Sequence, residues 1–467
     1  MTQFKIANLA LCSLCCVLGM SWELLSQGLS GTGRGPELVF TEQYATKNVT
    51  LVGKLSLEGE VLKLDLQRVG NKVYLYGAGI KGGPDVIMDV TDPTHMKVVN
   101  TIPMPDNGTG GQIQVADNLL VRSENDLNRT GPIAERRGIA IYDVSDPLKV
   151  RYLSNISYET VHRGYYPGGR YIHGTAQPKG FKGNIYVIID IQDPRSPREI
   201  GRWWMEGQAA GETPSWNPRG VAGRLHGPAY PVGDRAYLSY YNAMVILDIS
   251  DLSQPRQISK LVFSPPFNVG IPVHTVFPLL DRQLAFVAGE ATGQECRGEM
   301  PMAWMVDLRD EGNPLPISTF PIPTPPSEYP FRDFCAKLLP ESVASRITDM
   351  IAPARPSDWR FGPHNIQHVP RWGRMRSDII YLTYFVAGLR IFDISNPFAP
   401  REVGYFIAPD SLADGPVKFH DLMVDHDSGI IYVNDQRAKA ERSDIYALQT
   451  SVDDVMQIDP PPQDTGR

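Results

Sequence analysis

The sequence predicts an all-β fold, a seven-bladed β-propeller with an N-terminal strand closing the last blade. Three observations predict it. One β-repeat ending in an Asp-containing polar turn recurs along most of the chain. Gly and Pro are abundant, 42 and 40 of 467 residues, as many short strands joined by tight turns require. Helical periodicity is almost absent between the repeats, which argues against a Rossmann-type fold. Length agrees, because a chain this long is either several domains or one repeat array.

The repeat is read in six segments: VIMDVTDP (86–93), IAIYDVSDP (139–147), VIIDIQDP (187–194), VILDISDL (245–252), WMVDLRDE (304–311) and LRIFDISNP (389–397). Each is an apolar run, then Asp, then a polar turn. The run reads as a strand buried on both faces. The Asp carboxylate is placed to bond its own turn backbone, and Pro presets the next φ. The repeat aspartates are Asp89, Asp143, Asp190, Asp248, Asp307 and Asp393. Most of their spacings are about one four-stranded blade long. The long gap before Asp393 holds an insertion, roughly 315–360, whose second half reads as a helix. A degenerate seventh blade follows at 420–448. The segment TLVGKLSLEGEV (50–61) looks like the last strand of a repeat but precedes the first complete one. Paired beside the C-terminal strands, it would complete the last blade and remove the free edges. Six or eight blades, or two stacked β-sandwiches, are the competing architectures.

The ends differ from this body. Residues 1–30 form a leader in which Lys5 precedes an apolar run at 6–20. The run has the length of a signal-peptide core and is short for a membrane span. Export to a periplasmic or extracellular space, with the segment cleaved or kept as a membrane tether, is the expectation. One propeller domain is expected over 45–455, and a disordered tail over 456–467. Cys296 and Cys335 leave a disulfide or two thiols open. A net charge of −7 gives no electrostatic footprint for nucleic acid.

The segments RLHGPAYPVGDRAYLSYYNAMVILDIS (224–250), PVHTVFPL (272–279), FGPHNIQHV (361–369) and YFVAGLRIFDISNPFAPREVGYF (384–406) resemble the LVIVD-repeat proteins. The resemblance covers about 85–460 and implies a propeller. It implies little about activity, since most of that family has no assigned function. Two other propeller families offer a fold-level analogy: the carotenoid oxygenases, with iron on axial histidines, and the selenium-binding-protein-type methanethiol oxidases, with copper.

Nine histidines occur, and five of them occupy comparable places just upstream of a blade's middle strands. These are His173, His226, His274, His364 and His420, with Gln112 at the same place in an earlier blade. The first strand of each blade lines a propeller's axis, so equivalent positions form a ring. A ring of imidazoles suits a divalent transition metal, iron or copper in preference to a closed structural zinc site. The competing reading is that repeats also duplicate structural histidines. His226, His274, His364 and His420 are the expected ligands, and His173 is a fifth ligand, a proton shuttle or structural.

Glu290 and Glu295 are candidates to orient a ligand histidine or act as a base. Arg224, Arg360 and Asn365 are candidates for substrate binding, and an Arg beside the channel suits a carboxylate. The insertion, with Phe331, Phe334 and Trp359, is a candidate lid. Phosphate-binding loops and a nucleophile elbow are missing, which argues against nucleotide-dependent chemistry and serine hydrolysis. The leading expectation is a metal-dependent enzyme acting on a small organic substrate by oxidation, oxidative cleavage, or metal-assisted lyase, isomerase or hydratase chemistry. The alternatives are a non-catalytic exported propeller binding a partner protein or glycan, and a metal-free acid/base enzyme.

Overall fold

Each apolar run before a repeat aspartate becomes the third strand of a four-stranded antiparallel sheet. Neighbouring blades cover both faces of that strand, so apolar residues are needed on both. Ile87, Met88, Val187, Ile188, Val245 and Ile246 have no exposed surface. The carboxylate at the strand's end accepts the backbone N–H two residues on, at 2.8–3.1 Å in all six repeats. Asp425 does the same with Asp427 in the seventh blade. The recurring sequence signal is therefore a turn that an Asp side chain holds closed.

A computed structural model describes residues 44–104, 108–126, 137–213, 224–263, 271–291, 301–323, 326, 360–369, 371–409, 417–437 and 441–452. They form seven sheets, numbered here as blades in chain order. Blade 1 is Val61–Val69, Lys72–Gly79, Asp85–Asp89 and Lys97–Ile102. Blade 2 is Ile113–Ala116, Leu119–Asp126, Gly138–Asp143 and Arg151–Ile156, with Gly108–Thr109 also on its inner edge. Blade 3 is Thr160–Tyr165, Tyr171–Gln177, Ile185–Asp190 and Arg198–Trp203. Blade 4 is Tyr230–Val232, Arg235–Tyr240, Ala243–Asp248 and Arg256–Val262. Blade 5 is Ile271–Leu279, Leu284–Glu290, Ala303–Asp307 and Leu315–Thr319. Blade 6 is Ile379–Thr383, Leu389–Asp393 and Arg401–Ile407, with Ala45–Lys47 on its outer edge. Its inner edge is held by isolated bridges from Phe361 to Phe385 and from Ile366 to Leu382. Blade 7 is Lys418–Asp425, Ile430–Gln436 and Ser443–Thr450, with Val49–Leu57 outermost.

That last pairing closes the propeller. Val49–Leu57 runs antiparallel to Ser443–Thr450, from Val49 opposite Thr450 to Leu57 opposite Ser443. The first and last parts of the chain thus share one sheet, as the segment at 50–61 suggests. Glycine lets neighbouring blades meet there, because a Cβ at Gly53 would lie 2.0 Å from the Pro93 carbonyl oxygen of blade 1. Gly201 does the same for blades 3 and 4, where a Cβ would lie 1.8 Å from the Leu252 oxygen.

The core lies between blades. One cluster joins Tyr237, Phe277, Phe286, Met305 and Phe392 across blades 4 to 6. Leu315–Thr319 is the outer strand of blade 5, so the insertion begins after it and not at 315. Residues 324–325 and 327–359, including Phe331, Phe334, Trp359 and Cys335, lie outside the described residues, as do the leader at 1–30, the tail at 456–467, Glu295 and Cys296. Among the described residues no helix is long and apolar enough to cross a membrane.

Every blade interrupts its inner strand at the same level. In blades 1, 3, 5 and 7 the pairing register skips between Val61 and Leu64, Val161 and Arg163, Ile271 and Thr275, and Phe419 and Asp421. In blades 2 and 4 the regular strand begins only after Gln112 and His226, and in blade 6 isolated bridges replace it on either side of His364. A bulge re-aims a side chain that a regular pleat would send to one face. The interruption frees Leu62, Gln112, His162, His226, His274, His364 and His420 from the alternation of their strands.

Candidate metal centre

Five imidazoles stand in an arc, one from each of blades 3 to 7. Ring centroids are 4.2 Å apart for His162 and His226, 5.1 Å for His226 and His274, 5.0 Å for His274 and His364, and 4.3 Å for His364 and His420. Gln112 and Leu62 occupy blades 2 and 1, so the arc is open on that side.

Glu290, the last residue of the second strand of blade 5, reaches into the arc. Its Oε2 lies 3.5 Å from both His226 Nε2 and His274 Nε2. Its Oε1 lies 3.6 Å from His364 Nε2 and 3.6 Å from Arg360 Nη1. His162 Nε2 faces His226 Nε2 at 3.1 Å. The donor atoms of His226, His274 and Glu290 all fall within 4.8 Å of one another.

These separations lie within a few tenths of an ångström of those around a shared ion. Two donors each about 2.1 Å from one ion, at tetrahedral or octahedral angles, lie about 3.0–3.4 Å apart. The proton positions fit as well. His420 Nδ1 faces the Leu62 carbonyl oxygen at 2.8 Å, and His364 Nδ1 faces the His420 carbonyl oxygen at 2.9 Å. A carbonyl only accepts, so His420 Nδ1 carries the hydrogen and its neutral ring leaves Nε2 as a lone pair, while His364 Nδ1 faces both the His420 carbonyl and the Asn365 amide nitrogen at 3.0 Å. His364 and His420 are thus each held against the backbone of the next blade. Between blades 5 and 6, Thr275 Oγ1 lies 2.8 Å from His274 Nδ1 and donates to the His364 carbonyl at 3.4 Å. Asn365 Nδ2 donates to the His420 carbonyl at 2.6 Å.

The rings are held neutral. Burial, then the neighbouring charges of Arg163, Lys63 and the other histidines, pushes His162, His274, His364 and His420 well below the usual imidazole value. His226 is lowered by burial against an opposing pull from Glu290. Neutral imidazole is the ligating form.

The residues expected from sequence fall in different places. His226, His274, His364, Glu290 and Arg360 come together, with His420 at one end of the arc and Asn365 beneath it. His173 is a correction. It lies on the second strand of blade 3, opposite Tyr165 and Ile188, with Nδ1 2.6 Å from Tyr186 Oη. Burial pushes it down to about 3. His162 holds the blade 3 place instead. The signal for His162 is readable: its segment HRGYYPGGR aligns with HGPAYPVGDR, each with Pro five residues after the histidine. Arg224 is exposed and packs over Gly183.

Two buried cations that the sequence reading did not single out lie directly under the arc. Lys63 Nζ pairs with Asp421 Oδ1 at 3.1 Å, and burial with the nearby Arg163 charge lowers it to about 7. Arg163 Nη1 donates to Gln112 Oε1 at 3.0 Å, and its Nη2 lies 3.4 Å from His274 Nε2. Both residues line a small cavity with Gln112, Thr275, Asn365 and Tyr230.

The family described as LVIVD repeat matches residues 180–204, 232–261 and 378–407, which fall on blades 3, 4 and 6. No curated protein matches the chain. Similar solved structures include the β-propeller domain of Myceliophteria thermophila Cps50 (Swd1), at 9% identity and TM-score 0.49 over 84% of this chain and 99% of that one. Another is a hypothetical selenium-binding protein from Sulfolobus tokodaii, at 14% identity and TM-score 0.49 over 84% and 83%. A third is the C-terminal WD40 domain of Sif2, at 7% identity and TM-score 0.48 over 86% and 98%. Three stretches of the chain thus match the LVIVD repeat, and the described residues form seven propeller blades.

Proposed function

We propose that the axial cluster holds one divalent transition metal, iron or copper, and that the protein is a metal-dependent enzyme acting on a small organic substrate. His226, His274 and Glu290 supply the central donors. His364 and His162 flank them, and His420 closes the arc through its contact with His364. The observation that carries this reading is the convergence of neutral Nε2 atoms from blades 4, 5 and 6 on the one Glu290 carboxylate. A structural role for each histidine within its own sheet would not require that convergence.

Iron or copper would supply Lewis acidity and one-electron redox chemistry there. The chain's own groups do the rest. Backbone carbonyls fix the imidazole orientation, and Arg360 holds Glu290 from its other side. Blades 1 and 2 carry Leu62 and Gln112 in place of a histidine, which would leave coordination positions of the ion to a substrate. Oxidation or oxidative cleavage is the favoured reaction class. The leader at 1–30 is read as an export or tethering signal.

Metal analysis of purified protein reconstituted with Fe(II) or Cu(II) tests the reading. About one equivalent per chain is expected, lost in His274→Ala/His364→Ala, with oxygen uptake on a panel of small organic substrates following metal content. A fully active metal-free protein, or full metal content in the double variant, would refute it.

A further inference from the structure

We propose that the cavity beneath the histidine arc receives an anionic oxygen of the substrate, so that the substrate is a small carboxylic acid whose carboxylate docks on Arg163. This names the substrate class for the metal site proposed above and rests on that reading for what the docked molecule does. Its own support is Arg163.

Arg163 is 4% exposed. Among the described residues it has no carboxylate partner. Its Nη1 has only the neutral Gln112 amide oxygen as acceptor. Its Nε is buried without any hydrogen-bond partner. Its Nη2 has only the lone pair of His274 Nε2, at 3.4 Å, and that is the atom the proposed ion would take. An isolated buried guanidinium costs free energy unless an acceptor of opposite charge reaches it.

The neighbouring groups do not supply that acceptor. Asp421 is committed to Lys63 and to the Leu64 N–H at 2.9 Å. Asp65 is committed to Arg371 at 2.7 Å and to the Val115 N–H at 2.7 Å. Glu290 shares His274 Nε2 with Arg163 and its charge favours the guanidinium, but its carboxylate is engaged by the imidazoles and Arg360 and makes no ion pair with Arg163. The cavity has ≈ 10 Å³ of free space, room for one oxygen atom. Lys63, Asn365 and Tyr230 line it with Arg163, so donors surround the position. A carboxylate with one oxygen in this cavity would give the guanidinium a charged acceptor and leave the rest of the molecule on the side of the ion.

Calorimetric titration of the purified protein with formate, and with the neutral isostere formamide, tests this, with metal content measured on the same sample. Saturable formate binding is expected, with formamide at least tenfold weaker. Arg163→Gln is expected to weaken formate at least tenfold, and Arg163→Lys to restore part of it. No formate binding, equal binding of formamide, or unchanged binding in a folded Arg163→Gln variant would overturn the proposal. The formate and formamide comparison needs no variant, so a misfolded variant does not shield it. Formate binding in a sample that takes up no metal would support the anion site and sink the metal reading alone.

Discussion

Replacing His173 by Phe separates a buried structural histidine from the axial ones. His173 is 5% exposed and titrates at about 3 because burial disfavours its charged form. In the unfolded chain it titrates near 6.5. The folded pKa is depressed, so the neutral ring contributes stability that is fully present above pH 6.5. Below that, the unfolded state binds a proton that the folded state refuses, and stability falls until the pH passes the folded value. The slope for one such group is about 1.4 kcal/mol per pH unit. From pH 6.5 to about pH 3 the loss from His173 alone comes to about 5 kcal/mol. Phe keeps a planar ring and removes the titration. At pH 7 the variant is less stable by about 1–3 kcal/mol, because Tyr186 Oη loses its partner in a buried site. His173→Phe/Tyr186→Phe recovers part of that loss. The assay is reversible urea unfolding of wild type and both variants at pH 7, 6, 5 and 4. The axial histidines are common to all three, so the difference between curves isolates His173. A gap between wild type and His173→Phe that narrows and then reverses as pH falls is expected. Parallel pH profiles would refute the reasoning, since they would mean that His173 protonates equally in both states.

Three further perturbations follow from the geometry. His162→Ala should weaken metal binding at least tenfold in a competition titration, while His173→Ala leaves metal stoichiometry unchanged. Gly227→Ala should cost about 2–3 kcal/mol by overpacking and reduce metal content, because its Cβ would lie 1.9 Å from the His274 carbonyl oxygen and force blades 4 and 5 apart. Urea unfolding and metal analysis of the same preparation check both effects. Asp421→Asn should destabilise by about 3–5 kcal/mol by stranding the Lys63 ammonium, and Lys63→Met/Asp421→Asn should recover much of it.

The blades were legible because their signal is local. An apolar run, an aspartate and a polar turn sit within nine residues, and each of Asp89 through Asp393 does bond its own turn. Closure was legible because the segment at 50–61 carried the pattern of a last strand with no blade before it. The axial site was legible only in part. His226, His274, His364 and His420 share the context of a short strand entering a hairpin, whereas in blade 3 both strands of the hairpin carry a histidine. The choice between His162 and His173 turned on where the Pro167–Gly169 turn falls, and only a hairpin-by-hairpin alignment settles that. Arg163 and Lys63 were harder still. A regular strand would send the residue after an axial position (Leu62 in blade 1, His162 in blade 3) to the opposite face, but the inner strands bulge there. That bulge brings consecutive side chains toward the axis, and no residue pattern announced it. The Lys63–Asp421 pair joins blades 1 and 7, which lie far apart in sequence and meet only because the propeller closes.

The central claim is that the propeller's symmetry delivers imidazoles from separate blades to one ion. X-ray absorption at the metal edge of the reconstituted protein tests it most directly. The account predicts at least two imidazole rings and one carboxylate oxygen about 2.0–2.2 Å from the metal, with the bound-metal signal itself lost in His274→Ala/His364→Ala. A spectrum of a hydrated ion without imidazole, or an unchanged spectrum in the double variant, would contradict it.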